Sequence, residues 1–294
     1  MAIRKRAAMF REAKASTACA YHGGAHVHHP HGYGSLKAAN VGGTEALLQL
    51  ALSVRMKPMC FLSTMSVPMM LEGATRVEER IASGRPQSAN GYLLGKWVSE
   101  QRVLAYSRAH GLSATVVRVG NVTGHAETGY SNYRQNHFWL FNQGCIQLGA
   151  YPATGQTVEM TPVDLLARAL CALALNPRDG LHVANLQNPE CMSQDAWFEA
   201  LGKEGLRALP EAPEAWKQRL ATLDSANGLA LLRDFYTGDL TFHDMPVDQI
   251  GTIARLAEFD VRFAIDYARL IRVYVRYLRD EGFLPANTRD AELM

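Results

Sequence analysis

The chain has 294 residues, of which 48% are hydrophobic and 20% are charged, which is typical of a globular protein and argues against disorder. Thirty Lys and Arg nearly balance 28 Asp and Glu, so the net charge of +2 gives no electrostatic reason to expect nucleic acid or an anionic membrane as a partner. The five cysteines lack CxxC spacing, which argues against a disulfide framework and favours a reducing cytoplasm. No apolar run in the sequence is long enough to span a bilayer.

Helices and strands alternate through the first part of the chain. Residues 1–14 are basic and rich in Ala, which predicts a short amphipathic helix, with an organelle transit peptide as the less favoured alternative. A weak strand at 19–21 is followed by a turn rich in Gly and His. The further predicted elements are a helix from Leu36 to about Arg55, a strand at 58–62, a loop with one short helix at 67–90, a helix at 92–110, a strand at 114–119, a helix at 164–175 and a strand at 180–186. This order predicts an α/β fold with a parallel sheet.

The pattern changes after Pro189. Three segments, 193–206, 213–224 and 260–282, have helical periodicity with no apolar strand between them, which predicts a small helical appendage. Within the earlier helix at 92–110, the apolar residues Leu94, Trp97 and Val98 are predicted to form the buried stripe.

The most informative local pattern is the pair Tyr92 and Lys96, which a helix places one turn apart on the same face. A YxxxK pair is common by chance, but here it follows a predicted buried strand that runs into Ser63-Thr64-Met65-Ser66. Hydroxyl groups at the carboxyl end of a parallel strand lie where α/β sheets bind their ligands. The spacing therefore predicts an active site built from this strand end and this helix.

Two further patterns, NVGGT at 40–44 and RVGNVTG at 118–124, complete a set that resembles the extended short-chain dehydrogenase/reductase superfamily. The segments GYLLGKWVSEQ, GCIQLG and MTPVD are similar, more narrowly, to the reductase domains that terminate nonribosomal peptide and polyketide synthetases and to those of carboxylic acid reductases. The likeness extends from about Tyr21 to the C-terminus. It implies a partial Rossmann-like, doubly wound parallel sheet at 1–188 and a mainly helical substrate and carrier-binding subdomain at 189–294, to which 143–162 contributes.

The resemblance implies NAD(P)H-dependent reductive release of a carrier-bound acyl or peptidyl thioester as an aldehyde or, in some relatives, an alcohol. Thr64, Tyr92 and Lys96 are the catalytic residues it implies. Tyr92 would be the general acid, Lys96 would hold the nicotinamide ribose and stabilise the phenolate, and Thr64 would orient the carbonyl. Ser63 and Ser66 stay open as alternatives to Thr64.

The same resemblance implies the binding residues and the partner. The cofactor, NADPH or NADH, would contact His22, Gly23, Gly24, Ala25, Asn40, Tyr92, Lys96 and Gly120. The substrate would contact Asn121 and Gln147, and the partner would be an acyl or peptidyl carrier protein with its phosphopantetheine arm. Relatives often have Asn where this chain has Gly23, and usually Pro where it has Val119.

A dinucleotide fold begins with a strand, a Gly-rich turn and a helix whose N-terminus takes the pyrophosphate. No GxxGxxG precedes the strand at 19–21, which aligns with the fourth strand of such a sheet, so we expect the first three strands to be absent, the cofactor to bind weakly or not at all to this chain alone, and self-association through a bare sheet edge. Two alternatives to a reductase follow: a catalytically silent remnant that binds a carrier or another protein, and a redox-neutral release catalyst.

Five histidines, His22, His26, His28, His29 and His31, could chelate a metal ion. They lie in a turn rich in Gly and Pro without a matching set of Cys or carboxylates, so a solvated loop is favoured and no metal site is predicted.

Overall fold

The computed structural model describes residues 19–27, 31–88, 90–224, 227–233, 236 and 244–286. The helix predicted at 1–14 and two of the turn histidines, His28 and His29, lie outside these residues. The chain divides into two compact units, the first made of 1–120, 168–186 and 245–262 and the second of 121–167, 187–244 and 263–294. These units are discontinuous in sequence, and the functional division at 188 and 189 stays a prediction. Within the described ranges, no helix is both long and apolar enough to cross a membrane.

The helices and strands are numbered in chain order. The strands are β1 (Ala20–His22), β2 (Met59–Thr64), β3 (Ala114–Val119), β4 (Ala150–Pro152), β5 (Thr157–Val158), β6 (Leu181–Leu186), β7 (Met192–Ser193) and β8 (Leu209–Glu211). The helices are α1 (Tyr33–Lys37), α2 (Gly43–Leu52), α3 (Ser66–Met69), α4 (Gly91–His110), α5 (His137–Leu148), α6 (Val163–Leu175), α7 (Gln194–Lys203), α8 (Pro213–Ala221), α9 (Ile250–Ala257) and α10 (Tyr267–Asp280). A π-helical turn at Ala38–Gly42 joins α1 to α2, and a 3-10 turn occupies Gly228–Leu232.

The first unit contains a four-stranded sheet in the order β1-β2-β3-β6, with every neighbouring pair parallel. The predicted α/β fold with a parallel sheet is therefore confirmed. Apolar side chains of β2 and β3 pack with those of α2 and α4 in one core, which includes Leu48, Phe61, Val103 and Val116. The register pairs Thr64 with Val119 and His22 with Phe61, so β1, β2 and β3 present their carboxyl ends at one edge of the sheet.

Capping residues define both ends of the helix α4. The side-chain oxygen of Asn90 accepts hydrogen bonds from the N–H groups of Tyr92 at 3.0 Å and Leu93 at 3.1 Å, which caps the N-terminus. Gly111 adopts a left-handed conformation with φ 67° and ends the helix. The helix predicted at 92–110 is thus confirmed.

The predicted buried stripe of α4 is wrong, because Leu94, Trp97 and Val98 are only half-buried. The helix instead buries a face of small and polar residues together with two apolar ones. This face comprises Gly91, Leu93, Gly95, Lys96, Ser99, Glu100, Val103 and Ser107. Hydrophobic periodicity did not reveal it because the side chains that face the sheet carry hydroxyl, ammonium and carboxylate groups.

Close packing at the start of α4 requires glycine at position 91. A Cβ there would lie 2.4 Å from Gly32 C, 2.5 Å from His31 O and 2.6 Å from Tyr33 N, all of them backbone atoms. We expect Gly91→Ala to lower the free energy of unfolding by about 2–3 kcal/mol, since the backbone before α1 must move. Gly95→Ala in the same helix is the matched control, because its Cβ would make an ordinary contact of 3.5 Å with the Asn40 side chain. Denaturant unfolding of both variants tests this, and equal stabilities would contradict it.

The second unit is built around tryptophans. Trp139, Trp197 and Trp216 are buried in one apolar cluster, and the indole N–H groups of Trp197 and Trp216 donate to Asn142 Oδ1 (2.6 Å) and to Ala150 O (3.3 Å). Trp139 lies on α5, so the aromatic stretch at 137–141 contributes to a core.

Short strands also occur in the second unit, which corrects the expectation of an appendage without strands. β8 pairs in parallel with β4, and β7 pairs in antiparallel with β5. These strands have only two or three residues, too few to show a periodic pattern. The motif GCIQLG lies on α5 beside the 3-10 turn, where a Cβ at Gly144 would lie 2.3 Å from the Leu229 side chain. Gly144, the first glycine of this motif, is therefore needed for close packing.

Candidate active site

The carboxyl edge of the parallel sheet brings together most of the predicted catalytic and cofactor-binding residues of the first unit. Thr64 is the last residue of β2, and its register partner Val119 directly precedes Gly120. The turn at 23–25 leaves β1 at the same edge, and a Cβ at Gly23 would lie 3.9 Å from the Leu62 side chain. Ligands of parallel α/β sheets bind at this edge, so the residues lie where a binding site is expected.

Lys96 reaches this edge from α4. Its ammonium Nζ donates a hydrogen bond of 2.6 Å to Leu62 O and lies 4.9 Å from the centre of the Phe61 ring. Tyr92 lies one helical turn before it and packs against an apolar cluster that includes Met70 and Leu93. Burial raises the pKa of Tyr92 to about 12, so its phenol is protonated at neutral pH. Lys96 thus places a buried cation beside the end of β2, and Tyr92 offers a proton donor one helical turn away on the same helix.

The ammonium of Lys96 is costly to bury. Burial lowers the pKa of Lys96 from 10.5 to about 8, with the carboxylate of Glu100 opposing that shift. The folded protein holds this proton less tightly than the unfolded chain does. The buried ammonium therefore lowers the free energy of unfolding below pH 8, and this loss disappears as the pH rises from 8 to 10.5.

We expect Lys96→Met to abolish activity and to raise the free energy of unfolding by about 1–3 kcal/mol at neutral pH, because it removes this buried charge. The gain should shrink between pH 8 and 10.5. Lys57→Met is the matched control, since the buried Lys57 ammonium has two carbonyl acceptors, Arg55 O at 2.8 Å and Ser53 O at 3.3 Å, and its loss should destabilise. Denaturant unfolding across this pH range measures both, and a destabilised Lys96→Met variant would contradict the expectation.

The two hydroxyl residues that end β2, Ser63 and Thr64, have different surroundings. Ser63 is buried, and its hydroxyl donates to Glu100 Oε1 at 2.6 Å, so this hydroxyl is not available to a substrate. Thr64 is half-buried, and its Oγ1 accepts a hydrogen bond of 3.3 Å from the N–H of Ser66, which leaves its own proton able to donate. Of the two, Thr64 is better suited to bind a substrate oxygen, and its catalytic role stays a prediction.

A buried ion pair that the sequence analysis did not identify lies behind this site. Glu100 and Arg118 have fully buried side chains, and the guanidinium donates two hydrogen bonds to the carboxylate, of 3.0 Å and 2.6 Å. Arg118 also donates to Glu78 O at 3.1 Å. The pair joins α4 to β3 and fixes the helix that carries Lys96. Its sequence signal is the spacing of Glu100, one turn beyond Lys96 on the same helical face.

The turn after β1 is held from within the first unit. Asn40 is buried, and its amide accepts from His26 N–H at 2.7 Å and donates to His26 O at 3.0 Å. The ring of His22 is bonded to Thr44 Oγ1 at 3.0 Å, and burial together with the charge of Lys96 lowers the pKa of His22. The backbone at Gly24 and Ala25 is exposed, so this turn is free to contact a ligand through its main chain.

The two predicted substrate residues lie in the second unit. The N–H of Asn121 donates to Glu159 Oε2 at 2.6 Å, and its side chain is exposed. Gln147 Oε1 accepts from the N–H of Gly228 at 2.9 Å, so the carbonyl end of this side chain holds the 3-10 turn. Substrate contact by either residue stays a prediction.

Glu159, within the motif VEMTPVD, is a second residue whose role the sequence analysis did not identify. Besides Asn121, its carboxylate accepts from Asn188 N–H at 2.9 Å and from the Thr161 hydroxyl. Burial raises the pKa of Glu159, while these three hydrogen bonds favour the charged form. The residue therefore ties the segment at Asn121 to the segment at Asn188.

Among the residues that the structure describes, no group of three or more His, Cys, Asp or Glu is placed to hold a metal ion. In the same part of the chain, His26 and His31 pack edge to face with ring centres 6.4 Å apart. All five cysteines are free thiols.

The chain is similar to several known proteins. The chain is 29% identical over 299 residues to the L-2-aminoadipate reductase large subunit of Penicillium chrysogenum, which covers 91% of this chain and 21% of that protein. It is 34% identical over 224 residues to the isonitrile lipopeptide synthase of Streptomyces coeruleorubidus, covering 75% of this chain and 15% of that protein. The chain thus spans about a fifth or less of the length of these relatives.

A solved structure gives a closer match in extent. The terminal R domain of the myxalamid PKS-NRPS biosynthetic pathway superposes with a TM-score of 0.85 at 28% identity, over 95% of this chain and 72% of that one. The resemblance to terminal reductase domains is confirmed by these likenesses. The profile of an NAD-binding family, described as male sterility protein, matches residues 6–170. Because that match covers more than half of the sequence, the chain belongs to this NAD-binding family.

Proposed function

We propose that the chain catalyses the NAD(P)H-dependent reductive release of an acyl or peptidyl group from a carrier-bound thioester. The observation that carries the proposal is the buried ammonium of Lys96 at the carboxyl end of β2, 2.6 Å from Leu62 O and one helical turn from Tyr92. The likeness to a terminal R domain and to L-2-aminoadipate reductase supports it.

The residues at the sheet edge fit the nicotinamide end of such a cofactor. Among the described contacts, the ammonium of Lys96 has one hydrogen-bond acceptor, Leu62 O, for its three protons, so it retains donors for a ribose hydroxyl. A Cβ at Gly24 would meet only the His22 ring, at 3.9 Å, so the turn leaves room beside its backbone. We propose that this turn, Tyr92, Lys96 and Gly120 hold the nicotinamide end.

The proposed chemistry places the residues in distinct roles. A reduced nicotinamide held by these residues would supply the hydride for the thioester carbonyl carbon. Tyr92 donates its phenolic proton to the carbonyl oxygen, and the Thr64 hydroxyl donates a hydrogen bond to the same oxygen, so the negative charge that develops there is stabilised. Lys96 favours the phenolate that Tyr92 leaves behind. The resulting hemithioacetal collapses to an aldehyde and releases the carrier thiol.

The test is an assay of the intact protein with an acyl pantetheine thioester, run in parallel with NADPH and NADH. We expect thiol release and aldehyde formation to equal the dinucleotide oxidised. Thiol release without dinucleotide oxidation would instead support a redox-neutral catalyst, and no thiol release with a range of acyl groups would contradict the proposal. Calorimetry with residues 1–294 alone tests the prediction that they bind the dinucleotide weakly.

We further propose that the second unit binds the carrier arm, through 143–162 and the helices beyond Ser193. The similarity of GCIQLG and MTPVD to terminal reductase domains supports this assignment, as does the exposed side chain of Asn121. A carrier protein loaded with a crosslinking pantetheine analogue is expected to label peptides from these ranges. Unloaded carrier is the control, and labelling confined to the turn at 22–31 would contradict the assignment.

A further inference from the structure

The outer edge of β6 has unpaired backbone groups. The hydrogen bond of 2.9 Å from Ala114 N–H to Gly180 O sets which residues of β6 face β3. Because neighbouring residues of a strand direct their N–H and C=O groups to opposite sides, those of Leu181 and Val183, which are half-buried, face away from β3, whereas the next outward residue, Asn185, is fully buried and bonded through its side chain to Asp248 O. Over the ranges that the structure describes, no other group bonds to the outward backbone groups of Leu181 and Val183. An edge of this kind is a template for a further strand.

A cavity of about 430 Å³ lies at this edge, within the first unit. The consecutive residues 181–184 line it, which means that the strand edge itself forms part of its wall. Leu104 and Arg108 of α4 line it as well, as do Leu173 of α6 and Arg178 in the loop that follows. The volume is in the range of ordinary ligand sites, which are roughly 300–1,000 Å³. We refer to this cavity as the β6-edge pocket.

The lining of the β6-edge pocket contains more basic than acidic side chains. Four of its lining residues are arginines, namely Arg80, Arg108, Arg178 and Arg255. Arg80 pairs with Glu78, whereas Arg178 and Arg255 share the single carboxylate of Glu258. Arg108 has no carboxylate partner among the described residues.

The one acidic side chain that lines the pocket is already engaged. Glu79 accepts from the N–H groups of Gly251 at 2.9 Å and Thr252 at 2.7 Å, at the start of α9. The N-terminal end of a helix favours such a negative charge, and among the described residues Glu79 forms no ion pair with the arginines. A negatively charged partner is therefore favoured, and a second copy of the same basic edge is disfavoured by repulsion.

We infer that the β6-edge pocket binds an extended acidic segment of a partner protein by strand addition. Free anions would satisfy the arginines and the N–H groups but would leave the C=O groups of Leu181 and Val183 unpaired. An extended peptide satisfies both kinds of backbone group, and its carboxylates meet Arg108 and Arg178. The amino-terminal part of β6 lines the pocket, whereas Thr64 lies at the carboxyl end of β2. Binding at the pocket therefore does not depend on the proposed reductase activity.

The test uses a capped six-residue peptide of alternating valine and glutamate, titrated against the intact protein and followed by calorimetry. The control is a capped six-residue peptide of alternating valine and lysine. We expect the glutamate peptide to bind at least about tenfold more tightly than this control, because charge complementarity sets the choice of partner. A third peptide keeps the glutamates but carries N-methyl groups on alternate amides, which removes the backbone donors. Equal binding of the N-methylated peptide, or no binding of the glutamate peptide, overturns strand addition.

Two variants locate the binding. Arg108→Glu is expected to weaken the glutamate peptide about tenfold, whereas Arg102→Glu, an exposed position on the same helix that does not line the pocket, leaves it unchanged. Val183→Pro removes an N–H that faces away from β3, a substitution that edge strands tolerate, and it should block binding while the chain stays folded. Unchanged affinity in Arg108→Glu overturns the assignment to this pocket, even if Val183→Pro fails to fold.

Discussion

Tyr92→Phe is expected to lower thioester reduction by about 10²-fold or more while leaving the fold intact. Within the part of the chain that the structure describes, the phenolic oxygen of Tyr92 has no hydrogen-bond partner, so removal of the hydroxyl leaves no protein group unsatisfied. The loss should therefore appear in kcat, because a general acid acts in the transition state. Dinucleotide oxidation with a saturating acyl pantetheine thioester measures it.

Tyr106→Phe is the matched control, because Tyr106 lies on the same helix and packs against His110, with ring centres 5.5 Å apart. It should retain full activity. Denaturant unfolding of Tyr92→Phe should agree with that of the parent protein to within about 0.5 kcal/mol. A Tyr92→Phe variant with near-normal turnover would remove Tyr92 from the proposed mechanism, whereas a variant that has unfolded would test only its packing.

The regular elements around the candidate site could be predicted from the sequence because their signals are local. The strand predicted at 114–119 matches β3, and the helix predicted at 92–110 begins one residue late. A run of β-branched residues marks the strand, while Asn90 and Gly111 delimit the helix. The order of these elements was enough to predict a parallel sheet.

The buried face of α4 could not be predicted, since hydrophobic periodicity detects only apolar stripes. Lys96, Ser99 and Glu100 are buried because each finds a partner across the chain, and such partners become visible only when the fold is known. The helix α9 was not predicted, even though its apolar residues recur at helical spacing. Glu79 accepts hydrogen bonds from the N–H groups at its start, although 172 residues separate Glu79 from Gly251.

Arg118→Met is expected to lower the free energy of unfolding by about 3–5 kcal/mol, because it leaves the carboxylate of Glu100 buried without its cation. Both side chains are fully buried, so water cannot replace the lost partner without opening the core. Ser63 would remain the only described side-chain donor to Glu100, and one hydroxyl cannot compensate a full charge. Denaturant unfolding at neutral pH measures the loss.

The double variant Glu100→Leu with Arg118→Met is the decisive comparison, because it removes both charges and keeps apolar volume between α4 and β3. Replacing a buried ion pair by well-packed apolar residues is often neutral or stabilising, so most of the stability lost in Arg118→Met should return. If the pair also holds Lys96 in place, the double variant will be stable and yet have a lower kcat, since Glu100 then no longer links α4 to Ser63 of β2 and to Arg118 of β3. If Arg118→Met alone lowers the free energy of unfolding by less than about 1 kcal/mol, the ion pair contributes little to holding α4 in place.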